Sequence, residues 1–116
     1  MPSALHPPAH AGADVAKVAT TARDIADCAA VLGALRSAPC PTIALAMGER
    51  GQVTRLLAPK YGGFLTFGAL SEGRASAPGQ PTLRELREVY CLQRQGPATK
   101  VFGVVGNPVS HRSEPI

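Results

Sequence analysis

Two short apolar runs on either side of one amphipathic segment set the strongest constraint on how this chain can fold. The runs are D-V-A-K-V-A at residues 14–19 and P-T-I-A-L-A-M at residues 41–47. Between them T-A-R-D at 21–24 has the form of a capping box, which marks a helix start. Apolar residues then recur at helical spacing, namely Ile25, Cys28, Ala29, Leu32 and Leu35. Continuously apolar strands joined by a helix are typical of a parallel sheet and predict an α/β fold.

The rest of the chain continues this alternation. A short helix is predicted around residues 53–58 and a third strand at F-L-T-F, residues 64–67. A second capping box, T-L-R-E at 82–85, predicts another helix. V-F-G-V-V at 101–105 predicts a further strand. Three consecutive βα units fit either a doubly wound sheet or part of a (β/α)₈ barrel.

Composition excludes several classes of protein. The net charge of +4 is mild, and two Tyr, three Phe and no Trp leave little to stack on bases; nucleic-acid binding is therefore not predicted. The cysteines Cys28, Cys40 and Cys91 are widely spaced and odd in number, so neither a disulfide framework nor a zinc site is indicated. No apolar run reaches the roughly 18 residues that a membrane helix needs.

The first twelve residues show no hydrophobic periodicity and are expected to be disordered. They lack the charged start and apolar core of a secretory signal and the arginines of a transit peptide, so no targeting peptide is visible. His6 and His10 lie four residues apart, but the two prolines between them break any helix that would align them as ligands. No metal site is therefore predicted.

Lys17 interrupts the first apolar run and is the first candidate for chemistry. A lysine inside an apolar strand is costly unless its ammonium faces a polar pocket. Desolvation or a neighbouring cation lowers the pKa of a lysine, and the resulting neutral amine attacks carbonyl groups. The alternative is a lysine near a strand end whose ammonium reaches water.

Three further residues suit the binding of a small molecule. Arg55, just beyond the second strand, is able to clamp a carboxylate with two parallel hydrogen bonds, although a surface or ion-paired arginine is the alternative. Ser76 and Gln80 lie in the loop 71–81 and are able to donate to substrate hydroxyls, the alternative being a solvated turn. G-V-V-G at 103–106 is neither a dinucleotide fingerprint nor a P-loop.

Four motifs in a fixed order carry a family resemblance. They are A-D-V-A-K-V-A-T-T-A-R-D-I-A-D at 13–27, M-G-E-R-G-Q-V-T-R at 47–55, Y-G-G-F-L-T-F-G at 61–68 and S-A-P-G-Q-P-T at 76–82. The set resembles the type I 3-dehydroquinate dehydratases. Residues 95–111 look like the junction into a shikimate dehydrogenase, so the whole run is similar to the plant-type bifunctional enzymes that join the two.

The resemblance implies an α/β chain that is a partial (β/α)₈ TIM barrel, holding the last three βα units. The first strand of an α/β shikimate dehydrogenase substrate-binding domain would follow. The implied boundaries are 1–12 for a disordered N-terminus, 13–95 for the C-terminal part of the barrel, 96–100 for a linker and 101–116 for the start of the dehydrogenase domain. Because a complete barrel takes about 250 residues, the remainder of the barrel, or an oligomer of the chain, would be required.

The resemblance also implies a function. This is the lyase reaction of the shikimate pathway, in aromatic amino acid biosynthesis, which dehydrates 3-dehydroquinate to 3-dehydroshikimate through a Schiff base. Lys17 matches the Schiff-base lysine and Arg55 the arginine that binds the substrate carboxylate. The other matches are the lid-loop residues Ser76 and Gln80 and the apolar pocket residues Met47 and Phe67. The dehydratase part would need no cofactor, the dehydrogenase part would use NADP, and the location would be the chloroplast.

The sequence departs from the family at two functional points. The family's catalytic histidine comes from an earlier strand, and none of His6, His10 and His111 matches its place. The dehydrogenase motif S-H-S-x-S-P reads S-H-R-S-E-P at 110–115, so Arg112 and Glu114 replace two serines that bind the shikimate carboxylate. Since Glu114 would repel a carboxylate, no dehydrogenase activity is predicted. The alternative functions are an inactive truncated product, or a small nucleotide- or phosphate-binding α/β module that uses 103–110.

Overall fold

A β-α-β unit forms the centre of the molecule, seen in a computed structural model that describes residues 12–107. Strand β1 spans Ala16–Thr21, helix α1 spans Ile25–Arg36 and strand β2 spans Thr42–Met47. The two strands run parallel, with Ala16 opposite Thr42 and Thr21 opposite Met47. The predicted α/β fold with a parallel sheet is confirmed.

Strand β2 is buried on both of its faces. On one face Ala44 and Ala46 pack into the main hydrophobic cluster, which α1 covers with Cys28, Val31, Leu32 and Leu35. Ile43 and Leu45 alternate to the opposite face and are buried as well. This two-sided burial is the physical reason that the run 41–47 is apolar without alternation.

Helix α1 begins three residues later than the first capping box predicts. The side chain of Asp24 accepts a 2.8 Å hydrogen bond from the amide of Ala26. The carboxylate of Asp27 accepts one of 2.7 Å from the amide of Arg23, and another from that of Asp24. The expectation that Thr21 caps the helix is wrong because Thr21 ends β1, and the next amide, that of Ala22, still donates to the sheet at Met47.

The buried face of α1 also differs from the predicted one. Ile25 is 73% exposed and Ala29 is exposed, whereas Val31 and Ala34 are buried. The residues that face the sheet follow the i, i+3, i+4, i+7 pattern that starts at Cys28. A pattern that starts at Ile25 instead includes exposed positions on the neighbouring face of the helix.

A short helix follows β2, as expected from the sequence. Helix α2 spans Gln52–Leu56, after a 3₁₀ turn at Glu49–Gly51. Thr54 is fully buried, and its hydroxyl accepts a 2.9 Å hydrogen bond from the amide of Ala46 and donates one of 2.7 Å to the carbonyl of Gly51. This side chain ties α2 to the end of β2.

The predicted third strand does not form. The amide of Phe64 donates to the carbonyl of Thr42 at 2.8 Å, beside β2, but 64–67 is not a strand. The next pairing is an isolated bridge between Ala69 and Thr82. Within the described part of the chain this segment has a neighbour on one side only, which leaves most of its backbone groups without strand partners.

The second capping box is confirmed, but the helix after it is short. The amide of Glu85 donates to Oγ1 of Thr82 at 3.1 Å, and the Glu85 carboxylate accepts from the amide of Thr82 at 3.0 Å. A π-helix spans Glu85–Val89. It ends at Val89, and Cys91, two residues further on, takes up a left-handed conformation with φ of 50° that does not continue a helix.

Residues 95–99 are anchored on the end of α2 and on the turn that follows it. The side-chain amide of Gln95 donates to the carbonyl of Leu56 at 2.6 Å. The ammonium of Lys60 donates to the carbonyls of Pro97, at 3.1 Å, and Thr99. The segment predicted from the sequence to be a linker, 96–100, is therefore hydrogen-bonded to Lys60, which follows α2.

The remaining sequence predictions fall at the ends of the chain. Residues 101–107 are exposed and form neither helix nor strand, so the strand expected at 101–105 is not confirmed. The expected disorder at 1–12 lies outside the described residues except for Gly12. No helix between residues 12 and 107 is long and apolar enough to span a membrane.

Candidate functional site

The candidate lysine lies on the side of the sheet that α1 does not cover. Lys17 is exposed and alternates along β1 with Val18, which packs against the main cluster under α1. Because register partners in a parallel pair share a face, Lys17 stands beside Ile43, and Met47 lies further along on the same face. This face is the inner one in a barrel whose helices form the outer ring.

Lys17 is brought together with a second predicted site residue, Phe67. The Nζ atom of Lys17 lies 4.7 Å from the centroid of the Phe67 ring, within the range of a cation–π interaction. Both residues are exposed. The residues described thus supply one aromatic wall for the lysine, without the enclosure that would desolvate its amine.

Arg55 is the most deeply buried charged residue in the described part of the chain. It is 1% exposed, and its Nε and Nη2 atoms have no hydrogen-bond partner. Burial lowers the pKa of the Arg55 guanidinium from its ordinary value. A buried cation with unpaired donors is costly, and a carboxylate or another anion would satisfy it.

Met47 lies at the carboxyl end of β2, where the predicted lid loop returns to the sheet. The amide of Gly48 donates to the carbonyl of Pro78 at 2.9 Å. The side-chain amide of Gln52 also reaches the loop, at the carbonyl of Gly79, with a separation of 3.4 Å. Loop 71–81 is therefore placed over the strand end at which barrels bind their substrates.

Ser76 and Gln80 are hydrogen-bonded to one another within this loop. Oε1 of Gln80 accepts from the amide of Ser76 at 2.9 Å, and Nε2 of Gln80 donates to Oγ of Ser76 at 3.1 Å. Ser76 is exposed and Gln80 half-buried. The polar groups of the two side chains are thus used by one another. Either residue must break these hydrogen bonds before it binds a ligand.

The predicted residues thus form two groups. Lys17 and Phe67 meet on the open face of the sheet, and Ser76 and Gln80 meet in the loop next to Met47. Arg55 shares no hydrogen bond with either group within residues 12–107. His6, His10 and His111 lie outside the described residues.

Sequence reasoning missed three residues that place the loop, namely Gly48, Gln52 and Gly79. Gly48 and Gly79 have φ angles of 91° and 76°, which residues other than glycine rarely adopt. The signal was visible as glycines in M-G-E-R-G and A-P-G-Q. Among the described residues, no group of three His, Cys, Asp or Glu side chains is arranged to hold a metal.

Comparison with known proteins gives one family. The family model for type I 3-dehydroquinase matches residues 3–97. The chain is 53% identical over 105 residues to a chloroplastic bifunctional 3-dehydroquinate dehydratase/shikimate dehydrogenase of Arabidopsis thaliana, covering 90% of this chain and 17% of that protein. It is 43% identical over 79 residues to a 3-dehydroquinate dehydratase of Methanopyrus kandleri, covering 68% of this chain and 36% of that protein. The chain spans well under half the length of both relatives.

Solved structures give the same result. A type I 3-dehydroquinate dehydratase from Clostridium difficile matches with a TM-score of 0.62 and 32% identity, over 73% of this chain and 34% of that one. A dehydroquinate dehydratase and shikimate dehydrogenase from S. pombe matches with a TM-score of 0.54 and 30% identity, over 69% of this chain and 15% of that one. The fold described here is similar to part of the type I dehydroquinase barrel.

Proposed function

The chain belongs to the type I 3-dehydroquinase family, and from that premise we propose that it is the part of a 3-dehydroquinate dehydratase that carries the Schiff-base lysine, Lys17. The reaction converts 3-dehydroquinate to 3-dehydroshikimate by loss of one water. Its place is the shikimate pathway of aromatic amino acid biosynthesis. The names of the Arabidopsis and Methanopyrus relatives support this activity.

The chemistry follows from what an amine does to a ketone. The Nζ atom of Lys17 attacks the ring ketone, water leaves, and a protonated imine forms. A base, which the family resemblance identifies as a histidine from an earlier strand, removes a proton from the carbon next to the imine, and the positive nitrogen accepts the electron pair of that C–H bond. The same base returns the proton to a ring hydroxyl, which departs as water while the electron pair moves back from nitrogen to form the new C=C bond and restore the protonated imine. Hydrolysis of the imine releases 3-dehydroshikimate and restores the amine. The open face of the sheet gives a ketone access to Lys17.

The observation that carries the proposal is the unpaired, buried guanidinium of Arg55. Two of its three nitrogen atoms are buried without a partner, and 3-dehydroquinate carries a carboxylate. A bidentate pair with that carboxylate would supply the missing acceptors and offset the cost of burying the cation. Arg55 is therefore assigned to bind the substrate carboxylate.

The remaining site residues are assigned to the walls and the lid of the pocket. Met47 at the end of β2 and Phe67 beside Lys17 supply apolar walls. Ser76 and Gln80 supply hydrogen bonds to substrate hydroxyls when they release one another. No cofactor is needed for this reaction, because the imine nitrogen itself accepts the electrons.

The proposal includes the architecture. Residues 13–95 are assigned to the last three βα units of a TIM barrel, in which 64–67 would become a strand once neighbouring strands pair with it. Residues 96–100 are assigned to a linker and 101–116 to the start of a shikimate dehydrogenase domain, whose first strand would likewise need the rest of its sheet. In support, β1 has a strand partner on one side only among residues 12–107, and Phe64 and Leu65 are exposed beside the sheet. Other strands of a barrel would cover this edge and this face.

The chloroplast location of the Arabidopsis relative is proposed for this chain, whereas its dehydrogenase activity is not. The relative's name contains the word chloroplastic, and the same location is proposed for this chain. NADP belongs to the dehydrogenase part of such an enzyme. Residues 101–107 are exposed chain without a helix, so they do not fit a dinucleotide site, and no dehydrogenase step is assigned to this chain.

Borohydride reduction with 3-dehydroquinate tests the proposal directly. Reduction converts an imine into a stable secondary amine, so peptide mass mapping of the full chain should find the adduct on Lys17. The variant Lys17→Met should give no adduct, whereas Lys100→Met, which removes another exposed lysine, should give the wild-type yield. An adduct that persists in Lys17→Met, or a folded wild-type chain without any adduct, would contradict the assignment.

A further inference from the structure

Loop 71–81 touches the β2–α2 turn through the backbones of two glycines. Gly79 has a φ angle of 76°, and a Cβ atom added to it would collide with the carbonyl group of Gly48 and crowd the amide of Glu49. The two backbones are therefore already in contact, and no side chain fits between them.

Hydrogen bonds hold the loop on both sides of this contact. The amide of Gly48 donates to the carbonyl of Pro78 at 2.9 Å, and Gln52 reaches the carbonyl of Gly79. At the base of the loop, Ala69 donates to Pro81 and accepts from Leu83, both at 2.8 Å. The loop is thus fixed at its base and at residues 78–79, in its C-terminal half.

Both proposed hydroxyl-binding residues lie next to residues 78–79. Gln80 follows Gly79 directly in the chain, and Ser76 is hydrogen-bonded to Gln80 through its amide and its hydroxyl. A displacement of Gly79 away from Gly48 would therefore move Gln80 and Ser76 together.

We infer that Gly79 is a positioning residue for the dehydratase: its contact with Gly48 sets the height of the loop over the carboxyl end of β2 and hence the position of Ser76 and Gln80 over the substrate. Gln52 supports the same contact from α2. The inference rests on the proposed function for its substrate part, and on the contacts alone for its structural part.

Gly73 provides a matched control in the same loop. Its φ angle is 78°, so an alanine there meets the same conformational strain, but nothing lies within 4 Å of the Cβ position. A difference between Gly79→Ala and Gly73→Ala therefore reports the contact with Gly48 and not the strain.

The structural part is tested by amide hydrogen exchange on the full chain without substrate. The informative amide is that of Gly48, which donates to Pro78, and the amide of Ser76, which donates to Gln80, is the internal reference because those two residues move together. The amide of Gly48 should exchange about tenfold faster in Gly79→Ala than in Gly73→Ala, the factor expected for the loss of one hydrogen bond, whereas the amide of Ser76 should exchange at the same rate in both. Equal rates at Gly48 in the two variants would overturn the inference.

A second pair of variants covers the case in which Gly79→Ala does not fold. Gln52→Met removes the donor to Gly79, whereas Gln93→Met removes an exposed glutamine that donates to Arg87. Exchange at Gly48 should be faster in Gln52→Met alone. If the two glutamine variants exchange at the same rate, Gln52 and the contact it supports do not hold the loop.

The substrate part is tested by borohydride trapping over a range of 3-dehydroquinate concentrations. Gly79→Ala should raise the half-saturating concentration about tenfold and leave the maximal adduct on Lys17 unchanged, since lost hydroxyl contacts weaken binding without altering the amine. An unchanged half-saturating concentration would overturn the positioning role. A wild-type chain without adduct would contradict the proposed function instead, and the exchange rates would still decide whether Gly79 holds the loop.

Discussion

At the scale of single residues, Arg55 lowers the stability of the free chain, and it is also the residue proposed to bind the ligand. Its guanidinium is buried and two of its nitrogens lack acceptors, so folding removes them from water without replacing the lost hydrogen bonds. Such a cost is tolerated where a ligand provides the acceptors later. The residue that weakens the free protein is the one assigned to the substrate carboxylate.

Replacing Arg55 with an apolar residue of similar length should therefore stabilise the free chain. We expect Arg55→Met to raise the free energy of unfolding by about 1–3 kcal/mol, because the unsatisfied donors disappear and the aliphatic contacts remain. Urea denaturation measures this change. In the same variant, added 3-dehydroquinate should no longer stabilise the fold against urea. At low 3-dehydroquinate concentration, borohydride should trap no adduct on Lys17.

Arg84→Met is the control for that measurement. Arg84 is exposed and forms an ion pair with Glu88 at 2.9 Å, and surface pairs of this kind contribute little, so its loss should leave the urea denaturation midpoint close to that of the wild type. If Arg55→Met were less stable than the wild type, the guanidinium would have acceptors in solution, and its assignment to a ligand would lose its main support.

At the scale of elements, the carboxylates of Asp24 and Asp27 together cap the N-terminus of α1. Asp27 accepts hydrogen bonds from the amides of Arg23 and Asp24, and these bonds hold the pKa of Asp27 below its ordinary value of 3.8. A carboxylate whose pKa is lowered by folding stabilises the folded state above the unfolded pKa. This stabilisation is lost as the pH falls through the folded pKa.

The variant Asp27→Asn should accordingly show a pH-dependent effect. Its Tm should lie below that of the wild type at pH 7, and the difference should shrink as the pH is lowered from about 5 to below 3.8, where the wild-type carboxyl also becomes neutral. Asp14→Asn, which changes an exposed aspartate ahead of β1, should show no such trend. A difference in Tm that stays constant down to pH 3 would show that the charge of Asp27 does not stabilise the helix end.

Local patterns predicted the elements that local interactions determine. The apolar runs and the helical spacing predicted β1, α1 and β2, and T-L-R-E predicted the cap formed by Thr82 and Glu85. The same patterns failed where pairing across the chain decides the outcome. Thr21 has the chemistry of a cap but belongs to β1, and 64–67 has the composition of a strand but has a neighbour on only one side.

The candidate site was predictable to a different extent. The motifs predicted Lys17, Phe67, Ser76 and Gln80 as site residues. In the structure Lys17 contacts Phe67, and Ser76 is hydrogen-bonded to Gln80. The burial of Arg55 and the contact of Gly79 with Gly48 were not readable from the chain, because each depends on how residues far apart in sequence pack together. The π-helix at Glu85–Val89 had no signal in the hydrophobic pattern.

At the scale of the whole molecule, the sheet is open where a barrel would be closed. Strand β1 pairs with β2 on one side, and on the other side no strand within residues 12–107 pairs with it. Exposed strand edges and apolar surface favour association with other strands. Under the proposed architecture, the surfaces that close on this edge belong to the first five βα units of the barrel.

Complementation with those five units tests the proposed architecture. When the first five βα units of a type I dehydratase are co-expressed with this chain, we expect the two to co-purify and to convert 3-dehydroquinate to 3-dehydroshikimate. The added units close the barrel over Lys17, exclude water from its amine and supply the catalytic histidine that the family resemblance assigns to an earlier strand. The variant Lys17→Met should form the same complex without turnover, which separates assembly from catalysis. Two soluble partners that never associate would contradict the partial barrel, whereas a complex of the wild-type chain without turnover would contradict the site and leave the architecture in place.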